Sequence, residues 1–240
     1  MNIALIHGQN HRGSTYHIAR MTAERIGGHI DEFFLPRDFG EGCLGCYACL
    51  EKGRERCPHA GQVSPIFGSM LAADVVVVGS PTYVLEMTGH LKNFFDHLFS
   101  AWISHRPEGA MFSKSAVVIS TAAGFGMNGV TKSLAKQLLW LGAAKVYRFP
   151  VRVMAKSWEE VQGKEKISAK ANKIARKVIR RNGKAKSGIK SRLIFFMMRL
   201  MHKNNDWAPL DKKHWEDSGW LAKGRPWNRR EGGDKQCISC

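Results

Sequence analysis

The run DVVVVG at residues 74–79 is the feature that most constrains the fold of this 240-residue chain. Four consecutive valines between an aspartate and a glycine predict a short, buried β-strand. Weaker apolar segments of similar length recur along the chain, and a helical pattern follows each of them. The predicted strands are residues 2–6, 29–35, 74–79, 114–121 and 145–153. The predicted helices are residues 15–26, 62–72, 88–103, 130–141 and 158–181.

This alternation of strands and helices predicts an α/β fold, with a parallel sheet that is covered by helices on both faces. In such sheets, ligands bind outside the carboxyl ends of the strands. The predicted loops that leave this edge are residues 8–15, 40–58, 80–86 and 121–128. We therefore expect these four loops to converge on one site.

The first of these loops, residues 8–15, is polar and leads directly into a predicted helix. The free backbone amides and the dipole at a helix N-terminus favour a bound phosphate. Gln9, His11, Ser14 and Thr15 could add side-chain donors. The loop has neither GxGxxG spacing nor a P-loop lysine. Taken alone, a plain structural turn explains it equally well.

Four cysteines lie within residues 42–58, namely Cys43, Cys46, Cys49 and Cys57. Their spacing, C-x2-C-x2-C-x7-C, favours a [4Fe–4S] cluster, because closely spaced thiolates can surround one cubane. Zinc is disfavoured because its sites usually pair two separated C-x2-C units. A redox dithiol and a loop without metal remain alternatives. A further C-x2-C pair, Cys237 and Cys240, predicts a flexible terminal thiol pair.

The composition predicts a cytoplasmic protein without a membrane span. No run of about 18 apolar residues occurs, and the N-terminus lacks a basic region and a cleavage signature. Cysteines are therefore expected to be reduced. The net charge of +17 is concentrated in residues 151–240, which hold 23 Lys/Arg against 9 Asp/Glu.

One segment carries a family resemblance. Residues 79–97, GSPTYVLEMTGHLKNFFDH, are similar to the G-S-P-x-Y…G-x-L-K-x-F-x-D segment of the NADPH-dependent FMN reductase family. The cysteine spacing resembles that of the iron–sulfur flavoproteins within this family. The resemblance covers about residues 1–155. The first loop departs from the family's G-S-P-R-x-x-G-N/S-T, since Gln9 replaces a serine and the arginine has moved to Arg12 or become His11.

The resemblance implies a flavodoxin-like, doubly wound five-stranded parallel sheet of order 2-1-3-4-5, with FMN as cofactor. By the same resemblance, Gln9, His11, Ser14 and Thr15 would hold the FMN phosphate. One side of the isoalloxazine would face Pro81, Thr82, Tyr83 and Val84. Its pyrimidine end would face Thr121, Ala122, Ala123 and Gly124.

The implied function is an FMN-dependent oxidoreductase that takes electrons from NAD(P)H or a ferredoxin-like carrier. The acceptor would be a quinone, a flavin or, through the cluster, a protein. Alternatives are a cluster-free NAD(P)H:quinone or FMN reductase and a non-catalytic redox carrier or sensor. No Ser/His/Asp triad is expected because the flavin carries the chemistry.

Residues 1–183 are predicted to form the FMN-binding domain, and residues 184–240 a basic, mainly helical C-terminal extension. The extension contains an apolar helix flanked by Lys/Arg at residues 186–203, followed by four tryptophans. We expect it to dock on its own domain or on a neighbouring subunit of a homo-oligomer. Contact with an anionic membrane is a second interpretation. Nucleic-acid binding is disfavoured because no fold-level motif supports it.

Overall fold

The computed structural model describes residues 1–204 and 206–228, so Cys237 and Cys240 lie outside the described residues. The five strands are β1 Asn2–His7, β2 His29–Phe34, β3 Val75–Pro81, β4 Ser115–Ala122 and β5 Lys145–Arg152. The helices are α1 Ser14–Ile26, α2 Ala48–Glu51, α3 Ala60–Ala72, α4 Gly89–His97, α5 Met127–Trp140, α6 Lys164–Arg181, α7 Ile189–Lys203 and α8 Pro209–Asp217. Within these ranges, no helix is long and apolar enough to cross a membrane.

The strands form one parallel sheet of order β2-β1-β3-β4-β5, which confirms the predicted flavodoxin-like fold. The valines of β3 are buried because this strand lies at the centre of the sheet. Strand β2 is less apolar and forms one edge. Two large apolar clusters cover the two faces of the sheet. One includes side chains of α3, α4 and α5, and the other includes side chains of α1 and α6.

Strand β3 is longer than predicted, because it continues through Pro81. Its pairing with β1 ends at Gly79, whereas its pairing with β4 continues to Pro81 opposite Thr121. Pro81 therefore lies beyond the last β1 pair, where its missing N–H costs no ladder hydrogen bond on that side.

Two predicted helices were too long. The helix predicted at residues 88–103 ends at His97 and is followed by a 3₁₀ turn, Phe99–Ala101. The backbone leaves the α conformation at Leu98, although apolar residues continue at helical spacing with Leu98 and Trp102. The helix predicted at residues 158–181 begins only at Lys164, because Gly163 adopts a left-handed conformation there.

The C-terminal extension packs on the sheet domain through a third apolar cluster. Phe195 and Met198 of α7, together with Trp215 and Trp220, are buried against Ile103 and Phe112. Trp215 is fully buried, and its indole N–H donates to the carbonyl oxygen of His105 at 2.6 Å. Helix α8 was not predicted, since its nine residues show no clear apolar stripe.

Candidate functional site

A cavity of 260 Å³ lies at the carboxyl ends of the strands, where the fold is expected to bind ligands. Its walls come from the loop after β1, the first turn of α1, the ends of β3 and β4, and the segment after β5. Lys156 and two histidines line it, and no described residue that lines it is acidic. The cavity is therefore suited to an anionic group.

The first turn of α1 faces this cavity with Ser14, Thr15 and Tyr16. Gly13 caps the helix in an extended conformation, without a side-chain hydrogen bond to the free amides, and no acidic residue occupies the first turn. These amides have no partner within the helix. A Cβ atom at position 13 would lie 2.8 Å from the His11 imidazole, so the glycine allows this imidazole to lie close to the start of α1. The arrangement is that of an anion site at a helix N-terminus.

Hydroxyl pairs connect the segments around the cavity. The Oγ1 atoms of Thr15 and Thr121 lie 2.6 Å apart, and Thr82 Oγ1 lies 2.9 Å from Ser120 Oγ. Gln9 donates from Nε2 to the Tyr83 hydroxyl at 3.2 Å. These hydrogen bonds fix the positions of the start of α1, the end of β4 and the turn after β3 relative to one another.

The turn after β3 is conformationally strained. Tyr83 and Glu86 exchange two backbone hydrogen bonds of 3.0 Å each. Between them, Val84 and Leu85 adopt φ angles of 49° and 68°, a region that side chains other than glycine seldom occupy. The Val84 side chain is 98% exposed. The turn therefore presents backbone and an apolar rim to solvent beside the cavity.

Ten of the twelve residues predicted to contact FMN line this cavity. They are Gln9, His11, Ser14, Thr15, Pro81, Thr82, Tyr83, Thr121, Ala122 and Ala123. The other two, Val84 and Gly124, are absent from the cavity wall. Val84 points to solvent, and a Cβ atom at Gly124 would have no heavy atom within 4 Å.

Sequence analysis missed several lining residues, of which His7 and Lys156 carry chemistry. A signal for both existed, because each lies at or just after the carboxyl end of a strand. His7 is 3% exposed and lies 2.9 Å from Glu32 Oε1. Burial lowers the pKa of His7, although Glu32 opposes this effect. His7 is therefore a neutral hydrogen-bonding group in the cavity wall at pH 7.

The four predicted cluster cysteines line a second cavity, of 300 Å³. Asp96 and His97 at the end of α4, and Phe99 beyond it, line the same space. Among the described residues, none lines both this cavity and the strand-end cavity. The prediction that four loops converge on one site was therefore wrong. The cysteine loop, residues 42–58, folds over the end of α4, whereas the other three loops remain at the strand ends.

The thiols in this cavity influence one another. Burial, and then the neighbouring Cys57 and Cys43, raise the pKa of the Cys49 thiol, whereas Arg106 acts in the opposite direction. All four cysteines are free, and Cys43 and Cys46 are exposed. Thiolates that surround one cavity repel one another, and a positively charged metal centre would relieve this repulsion. The four thiols are therefore a donor set suited to such a centre.

Two histidines that the sequence did not single out, His59 and His97, lie beside the cysteines. His59 Nδ1 lies 2.9 Å from His97 Nε2, and His97 Nδ1 lies 2.7 Å from the carbonyl oxygen of Asn93. Potential ligand atoms of Cys57, His59 and His97 all lie within 4.8 Å of one another. Cys57 and His59 are two residues apart, but His97 follows 38 residues after His59, so no spacing motif could have indicated the complete group.

Arg106 connects the cysteine loop to the C-terminal extension. Its guanidinium donates to the carbonyl oxygens of Cys49 and Leu50 and pairs with the carboxylate of Asp211 in α8. Asp211 is 2% exposed, and its other oxygen lies 2.7 Å from His105 Nδ1. The extension thus supports the loop through a buried charged network.

Comparisons with known proteins find relatives at modest sequence identity. The chain is 32% identical to an iron–sulfur flavoprotein of Archaeoglobus fulgidus over 99 residues, which cover 40% of this chain and 48% of the relative. It is 25% identical to an FMN-dependent NADH:quinone oxidoreductase of Burkholderia pseudomallei over 126 residues, which cover 48% of this chain and 57% of the relative. The match thus spans about half the length of these relatives.

A solved structure of a flavone reductase shares the fold, with a TM-score of 0.58, 17% identity, and coverage of 78% of this chain and 66% of that one. The family model of NADPH-dependent FMN reductases matches residues 1–155, a segment that holds all five strands and every residue that lines the two cavities except Lys156. The chain belongs to the NADPH-dependent FMN reductase family.

Proposed function

We propose that this protein is an FMN-dependent oxidoreductase that oxidises NAD(P)H and reduces a quinone or a flavin. The observation that supports the proposal is the composition of the strand-end cavity. Its wall contains the free amides at the start of α1 and Lys156, and no acidic side chain among the described residues. When bound, FMN supplies the hydride acceptance and the one- or two-electron transfer that this reaction needs.

We assign the FMN phosphate to the first turn of α1, with donors from Gln9, His11, Ser14 and Thr15. A cavity of 260 Å³ is smaller than the roughly 300–1,000 Å³ typical of sites that enclose a drug-sized ligand. The cavity has room for the FMN phosphate and the part of the cofactor next to it. The isoalloxazine would lie outside the cavity, beside the open turn after β3.

For the isoalloxazine we propose two neighbouring segments. Residues 81–84 would lie along one side of the ring, with the exposed turn at Val84 contributing backbone groups. Residues 121–124 would lie at the pyrimidine end, where alanine and glycine allow backbone amides to approach. The exposed outer face of the ring would then be open to the nicotinamide and to the acceptor.

Steady-state oxidation of NADH and NADPH by FMN-loaded protein, with a water-soluble quinone as acceptor, tests the activity. We expect turnover that requires added or bound FMN. FMN-loaded protein that oxidises neither nucleotide would refute the proposal. Rapid electron exchange of such protein with a reduced ferredoxin would then favour the carrier function.

We propose further that Cys43, Cys46, Cys49 and Cys57 hold a [4Fe–4S] cluster. The supporting observation is that all four thiols line one cavity of 300 Å³. Anaerobically purified protein should contain about four irons per chain, with absorbance near 400 nm beyond the flavin bands. Protein without iron that holds one zinc per chain would instead favour a site formed by Cys57, His59 and His97.

Separate cavities also support a second candidate function, a cluster-free NAD(P)H:quinone or FMN reductase. No described residue lines both spaces, so in this candidate FMN would react without any contribution from the cysteine loop. Full quinone reductase activity in anaerobic protein that lacks iron would support this candidate and exclude the cluster from the reaction.

A further inference from the structure

Helix α7 has an outward apolar face that its docking on the protein does not explain. Its inner face buries Phe195 and Met198 in the third apolar cluster. The outer side chains are large and between 51% and 78% exposed, and they are Ile189, Leu193, Met197, Leu200 and Met201. At 100° per residue they fall within an arc of roughly 120°, along roughly 18 Å of helix. We call these five side chains the outer stripe.

The outer stripe lies within the most basic part of the chain. Residues 166–205 contain 13 Lys/Arg and no Asp or Glu. Lys190 and Lys203 belong to α7 itself, and Lys184 and Lys186 precede it in the sequence; all four are exposed. An apolar stripe bordered by cations and free of acidic residues combines two separate attractions, one to a hydrocarbon phase and one to anions.

We infer that the outer stripe docks on an anionic lipid bilayer, with α7 lying in the plane of the interface. A bilayer surface with anionic headgroups satisfies both attractions, because the apolar side chains enter the acyl boundary while the lysines meet the headgroups. A second copy of this chain would bring the same positive charges against the stripe, where they would repel. A nucleic acid would attract the lysines, but it has no hydrocarbon layer into which the five apolar side chains could insert.

The inference does not depend on the proposed redox function, although a bilayer is where a lipid-soluble acceptor would be dissolved. Helix α7 is too short to span a bilayer, so binding is expected to be peripheral and reversible. It should weaken as salt screens the lysines. It should also weaken when aliphatic area is removed at constant charge, because both attractions are needed.

Co-sedimentation of the full-length, FMN-loaded chain with vesicles tests the inference. Vesicles of phosphatidylcholine with 30% phosphatidylglycerol should pellet the protein, and vesicles of phosphatidylcholine alone should not. The double variant Leu193→Ser with Leu200→Ser keeps the net charge. It should reduce partitioning onto anionic vesicles by about tenfold or more, since both leucines lose their apolar burial in the bilayer.

Ile179→Ser is the matched control, because Ile179 is also an exposed aliphatic residue of the basic region but lies on α6 outside the stripe. It should bind anionic vesicles like the wild type. Thermal melting checks that each variant is folded.

Three results would overturn the inference: no pelleting with anionic vesicles, equal pelleting with neutral vesicles, or unchanged binding by the double serine variant. An oligomer that the double serine variant converts to monomer, without vesicle binding by the wild type, would assign the stripe to a second copy. Binding to a duplex oligonucleotide without vesicle binding would assign the region to nucleic acid.

Discussion

The strand-end cavity and the cysteine cavity have similar volumes, 260 and 300 Å³, but they are constructed differently. The first is formed by segments that leave β1, β3, β4 and β5, so the hydrogen-bonded sheet fixes its shape. The second is formed mainly by a loop whose regular structure is limited to the four residues of α2 and a 3₁₀ turn, Arg54–Arg56.

Because of this difference, different parts of the protein stabilise the two sites. The cysteine loop is held by Arg106, which contacts Asp211 of α8, and the preceding residue, His105, accepts a hydrogen bond from Trp215. No such contact with the extension lines the strand-end cavity among the described residues. We therefore expect damage to the extension to affect the cysteine site first, and damage to the first turn of α1 to affect only FMN.

The largest effect is expected from Trp215→Ala. Removing a fully buried indole should destabilise the protein by about 3–5 kcal/mol. The segment at residues 105–106 would also lose a hydrogen bond, so iron content should fall while FMN binding persists. Thermal melting and quantification of iron and FMN measure these outcomes.

Leu200→Ala is the control for this variant, because Leu200 is an apolar residue of the same extension that is 65% exposed. Its stability should stay within about 0.5 kcal/mol of the wild type. Equal loss of FMN and iron in Trp215→Ala would show that the extension supports both cavities alike.

Ser14→Asp should abolish the preference for FMN over riboflavin without unfolding the protein. The new carboxylate would face the phosphate and weaken FMN binding by about 100-fold, whereas a negative charge at a helix N-terminus stabilises the helix. Titration with FMN and with riboflavin, which lacks the phosphate, separates charge repulsion from misfolding. Riboflavin affinity and iron content should stay unchanged, and parallel loss of riboflavin binding would contradict the phosphate assignment.

Acid should destabilise the extension through His202. Burial lowers the pKa of His202, while Asp211 opposes this and the neighbouring His105 and His214 reinforce it. His202 Nε2 donates to the carbonyl oxygen of Ser104 at 3.1 Å, and its Nδ1 has no partner among the described residues. Unfolded His202 takes up a proton near pH 6.5, where the folded residue stays neutral, so stability is lost as the pH falls below this value.

Melting temperatures between pH 8 and 5 measure this dependence, and His202→Gln should flatten it. Part of the slope should remain, because burial also lowers the pKa of His7 and His214. Asn204→Gln, at the exposed position just after α7, serves as control and should keep the wild-type profile, because it removes no titratable group. A slope that His202→Gln leaves intact would show that other groups cause the acid sensitivity.

Tyr83→Phe is expected to have the smallest effect. It removes the hydroxyl that accepts from Gln9 at the rim of the strand-end cavity, an exposed hydrogen bond of 3.2 Å. FMN affinity should fall by about two- to fivefold, since such a bond contributes about 0.5–1 kcal/mol. A loss near 100-fold in a fluorescence titration would mean that Tyr83 contributes far more to FMN binding than this bond.

The sheet and the strand-end cavity could be predicted from the sequence because both follow from local patterns. Apolar runs locate the strands, and parallel strands place their following loops at one edge. The end of α4 at His97 and the existence of α8 could not be predicted in this way, because periodicity does not show where a helix meets another segment. The position of the cysteine cavity and the pairing of His59 with His97 depend on how a loop folds over α4, which no spacing encodes.

The central claim is that the two cavities work as independent sites, FMN at the strand ends and iron at the cysteines. Its most direct test is to measure FMN and iron in anaerobically purified wild-type protein and in a variant with Cys43, Cys46, Cys49 and Cys57 all changed to serine. We predict that iron falls from about four atoms per chain to none while FMN stays at one per chain. Loss of FMN together with iron, or wild-type protein without FMN, would contradict the account.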